Sequence, residues 1–181
     1  MTYNNNSYKT SKVFTSIRNT EYKNLNHSCN KFPHNSCNIN KFTLLHQNIR
    51  EINNKIEEFL ISLSSDAPQI ISVTEHHLKK EELGIVNFSH YTLGAFFCRQ
   101  SASHGGVCIF VPKNIQYYTI DLGSFNKEKD FEVCALKLNI LSISLTVICI
   151  YRSQTGNFLY FINQLELILN KIYKSSSELI L

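Results

Sequence analysis

The stretch that most constrains this chain is Gln69–Leu78, QIISVTEHHL, an apolar run that breaks off at Glu75 and passes at once into two histidines. Ile70, Ile71 and Val73 are β-branched and follow the turn signal Asp66-Ala67-Pro68, so the run reads as a short buried strand. Rigid strands aim the groups at their carboxyl ends into loops that water and substrate reach, and a strand closing on a carboxylate is a place to hold a metal. Taken alone, Glu75 fits a solvated loop residue better than a metal ligand. Two further strand ends change that balance.

Upstream, Phe42-Thr43-Leu44-Leu45 runs into His46-Gln47-Asn48-Ile49-Arg50, a second strand closing on polar residues. Ile52, Ile56, Phe59, Leu60 and Leu63 then share one face at helical spacing, predicting a helix over 52–63. The strand, helix, strand order sets Asn48 and Glu75 on the same side of a sheet if the two strands are parallel. Downstream, Tyr91–Phe97 reads as a strand. Val107–Val111, bounded by Gly106 and Pro112, reads as a central strand, with Ile115–Ile120 expected as its hairpin partner. Residues 132–138 alternate with the period of a strand. After a turn at Asn139 comes a long strand, Leu141–Tyr151, ending on Tyr151 and Arg152. Gly156-Asn157 opens a helix whose expected buried stripe is Phe158, Phe161, Ile162, Leu165, Leu169 and Ile172.

Charge and composition separate the first 40 residues from the rest. They hold ten asparagines, five Lys/Arg and one acidic residue, whereas residues 41–181 hold thirteen of each sign, so the whole net charge of +4 lies in the first segment. With little periodic hydrophobicity that segment is expected to be a disordered, mildly basic arm. The globular part has no basic excess that by itself announces nucleic acid. Of six cysteines, Cys108, Cys134 and Cys149 sit inside apolar strands and none forms a CxxC pair, the pattern of buried thiols in a reducing compartment. No apolar leader opens the chain, and its longest apolar run is too short for a bilayer. An intracellular protein, nuclear or cytoplasmic, is expected.

Asn48, Glu75 and Tyr151 thus each close a strand. A carboxylate can hold Mg²⁺, an amide can orient a phosphate or nucleophile, and a phenol can donate to a phosphoryl oxygen as charge builds there. LLHQNIR, SVTEHHL, HGGVCIFVP, the glutamate-containing strand FEVCALKL and TVICIYR, in that order, resemble the opening half of the exonuclease-endonuclease-phosphatase fold. The nearest likeness is to the apurinic-type endonuclease domain of non-LTR (LINE-like, jockey-type) retrotransposons. It covers residues 41–181 and none of the first 40. The resemblance implies an α/β fold, the N-terminal half of a four-layer α/β sandwich with a mixed sheet and flanking helices.

By the same resemblance Asn48 helps to position the scissile phosphate, Glu75 binds Mg²⁺ (or Mn²⁺) and Tyr151 supports the transition state. His77 falls where many such endonucleases carry a polar residue, and Arg50 and Arg152 are placed to meet substrate, Arg152 at a DNA phosphate. Two departures stand out. Glu51 replaces a glycine usual after the Asn-Ile-Arg motif, and the Gly-Asp-Phe-Asn and Ser-Asp-His stretches that supply the relatives' water-activating aspartate and charge-stabilising histidine have no counterpart here. The reading is therefore a truncated Mg²⁺-dependent DNA endonuclease with little or no activity as it stands, and with an apolar sheet face left uncovered. The alternatives are a non-catalytic remnant binding nucleic acid through the basic arm and the surface around Arg50, Arg99 and Arg152, or another phosphodiesterase of the same fold. DNA is the expected partner, with no membrane and no stable protein partner.

Overall fold

The computed structural model describes residues 12–18, 41–53, 55, 67–86, 88, 90–140, 143–173 and 178–181. Among the described residues nine strands build two mixed sheets. The first contains β1 (Lys12–Arg18), β2 (Lys41–Asn48), β3 (Ile70–Thr74), β4 (Tyr91–Phe97) and β5 (Val107–Pro112), in the spatial order β1-β2-β3-β5-β4. The second contains β6 (Tyr117–Ile120), β7 (Glu132–Ile140), β8 (Ile143–Tyr151) and β9 (Glu178–Ile180), in that order. Among the described residues two α-helices flank them, the single turn α1 (Lys80–Leu83) and the long α2 (Phe158–Tyr173). Among the described residues no helix is long and apolar enough to cross a membrane.

Three buried clusters order the layers. Leu44, Ile70, Val107 and Ile109 of the first sheet meet Leu136, Leu138, Leu145, Val147 and Cys149 of the second, so the sheets pack face to face. The outer face of the first sheet, with Leu45, Ile71, Val73 and Phe110, is covered by Ile49, Ile52, Leu78, Leu83 and Phe88 from its own loops and α1. The outer face of the second, with Val133, Ala135 and Ile148, is covered by Ile168 and Ile172 of α2. Over the described residues both faces of each sheet therefore carry a buried cluster, in place of the bare sheet face the sequence led us to expect.

Strand pairing agrees with the sequence in part. β2 and β3 are parallel, with Asn48 opposite Thr74, which sets the polar ends of both strands side by side. β7 and β8 pair antiparallel along their whole length, from Glu132 opposite Tyr151 to Ile140 opposite Ile143. Three expectations need correction. β6 is not the hairpin partner of β5: both edges of β5 are taken, by β3 and β4, so the chain turns after Pro112 into the second sheet and β6 pairs with β7. In α2 the buried residues are Ile168 and Ile172, with Phe161 and Leu165 partly packed, while Phe158 is 64% exposed and Ile162 39%. The helix is rotated from the expected stripe to the equally periodic set 161, 165, 168 and 172.

The third concerns the amino-terminal segment. Lys12–Arg18, within the stretch read as an unstructured arm, is an edge strand antiparallel to β2, with Lys12 opposite Gln47. Its sequence KVFTSIR is rich in β-formers despite its Asn-rich surroundings. The rest of residues 1–40, and the helix expected over 52–63 apart from 52, 53 and 55, lie outside the described residues.

Candidate active site

The ends of β2, β3 and β8 converge on one carboxylate. Asn48 Nδ2 donates to Glu75 Oε1 at 2.9 Å. Tyr151, arriving from the second sheet, bears electrostatically on the same carboxylate. On the other oxygen, His77 Nε2 lies 3.8 Å and Arg50 Nε 3.9 Å from Glu75 Oε2. Five of the six residues singled out in the sequence thus meet at Glu75. Arg152 does not: its Nη1 donates to the carbonyls of Ser153 at 3.0 Å and Gly156 at 2.8 Å, and its guanidinium lies 5.6 Å from the centre of the Phe158 ring.

The loops that present these groups are locked by backbone bonds continuing beyond the strands. Ile49 N–H donates to Thr74 O, Glu51 N–H to Glu75 O, Glu75 N–H to Gly106 O and His77 N–H to Gly105 O, all at 2.8–3.0 Å. That framework holds the backbone in an unusual shape. Among the described residues five non-glycines have positive φ, and four of them, Arg50, Glu51, Glu75 and His77 at +45° to +77°, are here. Left-handed backbone at bulky residues persists only where surrounding structure over-determines it, and it gathers at functional sites. The two glycines of His104-Gly105-Gly106 have a steric reason. A Cβ on Gly105 would strike the Arg99 guanidinium, and one on Gly106 the His76 ring.

Electrostatics set the protonation states. Burial pushes the Glu75 carboxyl up, but the hydrogen bond from Asn48, the Tyr151 phenol and the charges of Arg50 and His77 outweigh it, leaving it below its ordinary value and ionised at neutral pH. Tyr151 is pushed up, first by burial and then by Glu75, so its phenol stays a donor. His77 is lowered, first by burial and then by neighbouring His104, whose ring centroid is 4.7 Å away, and is neutral at pH 7.

Beneath the site lie supports that the sequence reading missed. Glu132 is fully buried and Arg99, expected on a binding surface, is only 7% exposed. Arg99 Nε donates to Glu132 Oε1 at 2.6 Å, and Nη2 closes on the same oxygen. The carboxylate also accepts from Gly106 N at 2.7 Å and Lys129 N at 2.9 Å. Since Glu132 sits opposite Tyr151, this pair ties the glycine loop to the strand that carries the phenol. The one signal in the sequence was a glutamate at the head of an apolar strand. His76 is likewise buried, accepting from Leu78 N at Nδ1 (3.0 Å) and facing Phe97 O with Nε2 (3.1 Å), and burial drives its pKa down to about 4. It is a neutral strut.

For a cation, the available oxygens are the Glu75 carboxylate and Asn48 Oδ1, which is buried without a hydrogen-bond partner. Among the described residues no three His, Cys, Asp or Glu side chains form a metal-sized group, so any ion here would rely on water and substrate for its remaining ligands.

Two face-packed mixed sheets with flanking helices, and polar groups gathered at their strand ends, define the class: this is the α/β fold of the endonuclease/exonuclease/phosphatase proteins. The sequence matches no protein-family model and no curated protein. Among solved structures the chain is similar to the endonuclease domain of TRAS1, a telomere-specific non-LTR retrotransposon, with a TM-score of 0.56 and 11% identity over 72% of this chain and 55% of that one. It is also similar to the AP endonuclease LMAP from Leishmania major, with a TM-score of 0.50 and 11% identity over 74% of this chain and 46% of that one. The chain therefore spans about half the length of each, and at this identity the likeness is one of fold.

Proposed function

We propose that this chain is part of a divalent-metal-dependent DNA endonuclease of the non-LTR retrotransposon kind, and that by itself it holds a metal and DNA phosphate without efficient cleavage. The observation that carries this reading is the 2.9 Å hydrogen bond from Asn48 to Glu75 at the ends of two parallel strands, with Tyr151 meeting the same carboxylate from the other sheet. Phosphodiester hydrolysis needs a positioned phosphate, neutralisation of its growing charge and a group to take a proton from water. Glu75 and the unpartnered Asn48 Oδ1 would hold Mg²⁺ or Mn²⁺, which as a Lewis acid neutralises phosphoryl charge when bound.

The chain's own groups do the rest. The Asn48 amide fixes the orientation of the Glu75 carboxylate, and the Tyr151 phenol keeps its proton and so can donate to a phosphoryl oxygen. Arg50, 55% exposed, stands on the solvent side of Glu75, where a backbone phosphate would approach. Among the described residues the groups that meet at Glu75 include no second carboxylate to take a proton from the attacking water, which is why cleavage by this chain should be slow.

The test is to mix the full chain with supercoiled plasmid in Mg²⁺ and measure both retention and nicking against Glu75→Gln. Salt-sensitive binding, with log K falling by about 0.9 per phosphate contact for each decade of salt, and nicking no faster than the variant's are expected. Failure to bind DNA at low salt overturns the reading. Nicking that depends on Mg²⁺ and on Glu75 would keep the site and overturn the claim of inefficiency.

A further inference from the structure

Two buried atoms beside Glu75 lack a hydrogen-bond partner: Asn48 Oδ1, already counted as an oxygen donor, and Nε2 of His77. At 3.8 Å from Glu75 Oε2, that nitrogen is too far for a hydrogen bond, which ends near 3.2 Å. Neighbouring octahedral ligands about 2.1 Å from a shared ion stand about 3.0 Å apart, so a closure of this gap by under about 1 Å lets both groups bind one cation. Nor is the ring free to turn away. His77 is held at φ +62° by its N–H bond to Gly105 O at 2.9 Å, its side chain is only 16% exposed, and the His104 ring lies against it, tilted by 50° with centroids 4.7 Å apart.

Building on the reading above, we propose that His77 is a nitrogen ligand of the divalent cation held by Glu75, and that it makes this centre prefer Mn²⁺ to Mg²⁺. The chemistry follows from the donor set. Mg²⁺ is a hard ion that takes oxygen ligands and keeps its waters, whereas an imidazole beside a carboxylate favours a first-row transition ion. Mn²⁺ accepts both donor types and still leaves positions for water and a phosphate oxygen. His77 then draws its importance from selecting the ion rather than from touching DNA.

The test uses the full chain, with Mn²⁺ and Mg²⁺ as the probes and no activity readout. Mn²⁺ binding is followed by loss of the free-ion electron paramagnetic resonance signal, Mg²⁺ by competition, and the bound Mn²⁺ is examined by electron spin echo modulation. We expect Mn²⁺ to bind at least about tenfold more tightly than Mg²⁺, with a ¹⁴N coupling in the echo. His77→Asn, which tolerates the left-handed backbone, should remove the coupling and weaken Mn²⁺ about tenfold while changing Mg²⁺ less than about twofold. Glu75→Gln should weaken both ions. A wild-type echo without ¹⁴N coupling overturns the proposal with no variant needed, as does an His77→Asn chain that binds Mn²⁺ like the wild type. If Glu75→Gln leaves both affinities unchanged, the metal reading of the site falls as well; if Glu75 matters and His77 does not, only the present inference is lost.

Discussion

Replacing Arg99 with methionine is the sharpest probe of how this site is held. The substitution keeps most of the side-chain volume and removes the charge from a pair in which Arg99 is 7% exposed and Glu132 not at all. Removing one partner of such a pair costs about 3–5 kcal/mol, because the other charge stays buried. Here the lower end applies, since Glu132 still accepts from the N–H groups of Gly106 and Lys129. A loss of about 3 kcal/mol corresponds to a melting temperature lower by roughly 6–12 °C for a chain of this size. Were Arg99 on an open binding surface, as its sequence context led us to expect, the same change would cost about 1 kcal/mol or less.

Urea denaturation followed by far-ultraviolet circular dichroism and tyrosine fluorescence measures it, the chain having nine tyrosines and no tryptophan. The double variant Arg99→Met/Glu132→Gln completes the cycle. It should be more stable than the two single losses summed by about 2 kcal/mol or more, because removing the second charge relieves the burial left by the first. Single variants within about 1 kcal/mol of the wild type, or a double variant equal to the sum, would refute the argument that this pair fastens the glycine loop to the Tyr151 strand.

Two further outcomes follow from the same geometry. His76 has a folded pKa of about 4 against an unbound value of 6.5, so between those pH values the unfolded chain binds the extra proton. Its contribution is complete above pH 6.5 and is lost as pH falls through 4, about 3 kcal/mol in all. Urea titrations at pH 7 and pH 4 should show that loss in the wild type and its disappearance in His76→Asn; equal acid losses in both would contradict it. Glu51 stands at φ +77° where the resemblance calls for glycine. Glu51→Gly should relieve about 1–2 kcal/mol of left-handed strain and return about 0.5–1 kcal/mol in unfolded-chain entropy, a net gain of between about 0 and 1.5 kcal/mol. A less stable variant in thermal melts would show that the Glu51 side chain does something the backbone argument omits.

Much of the framework was legible because it is local. The apolar run at 42–45, the β-branched run at 70–74, the alternation over 132–138 and the polar residues closing each run follow from local patterning and turn residues. Once β2 and β3 are parallel, the proximity of Asn48 to Glu75 follows; the α/β sandwich was expected from the family resemblance. What stayed hidden depends on which surface an element meets. On α2 the expected Phe161, Leu165 and Ile172 do face the sheet, and only the sheet beneath it decides that Ile168 joins them while Phe158 and Ile162 stay exposed. β6 looked like the partner of β5 because the two are adjacent in the chain; β3 and β4 had already taken both edges of β5.

The charged residues divide in the same way. Arg50, Arg99 and Arg152 are indistinguishable as letters near polar strand ends. Tertiary structure alone sends Arg50 to Glu75, buries Arg99 against Glu132, 33 residues on, and turns Arg152 to the carbonyls of its own loop. A guanidinium takes its role from the acceptors within reach, and those come from segments far apart in the chain. From residue 41 onward sequence by itself determined the strands and what stands at their ends; packing between the two sheets decided which of those end groups meet, because burial and charge pairing are settled between elements rather than within them.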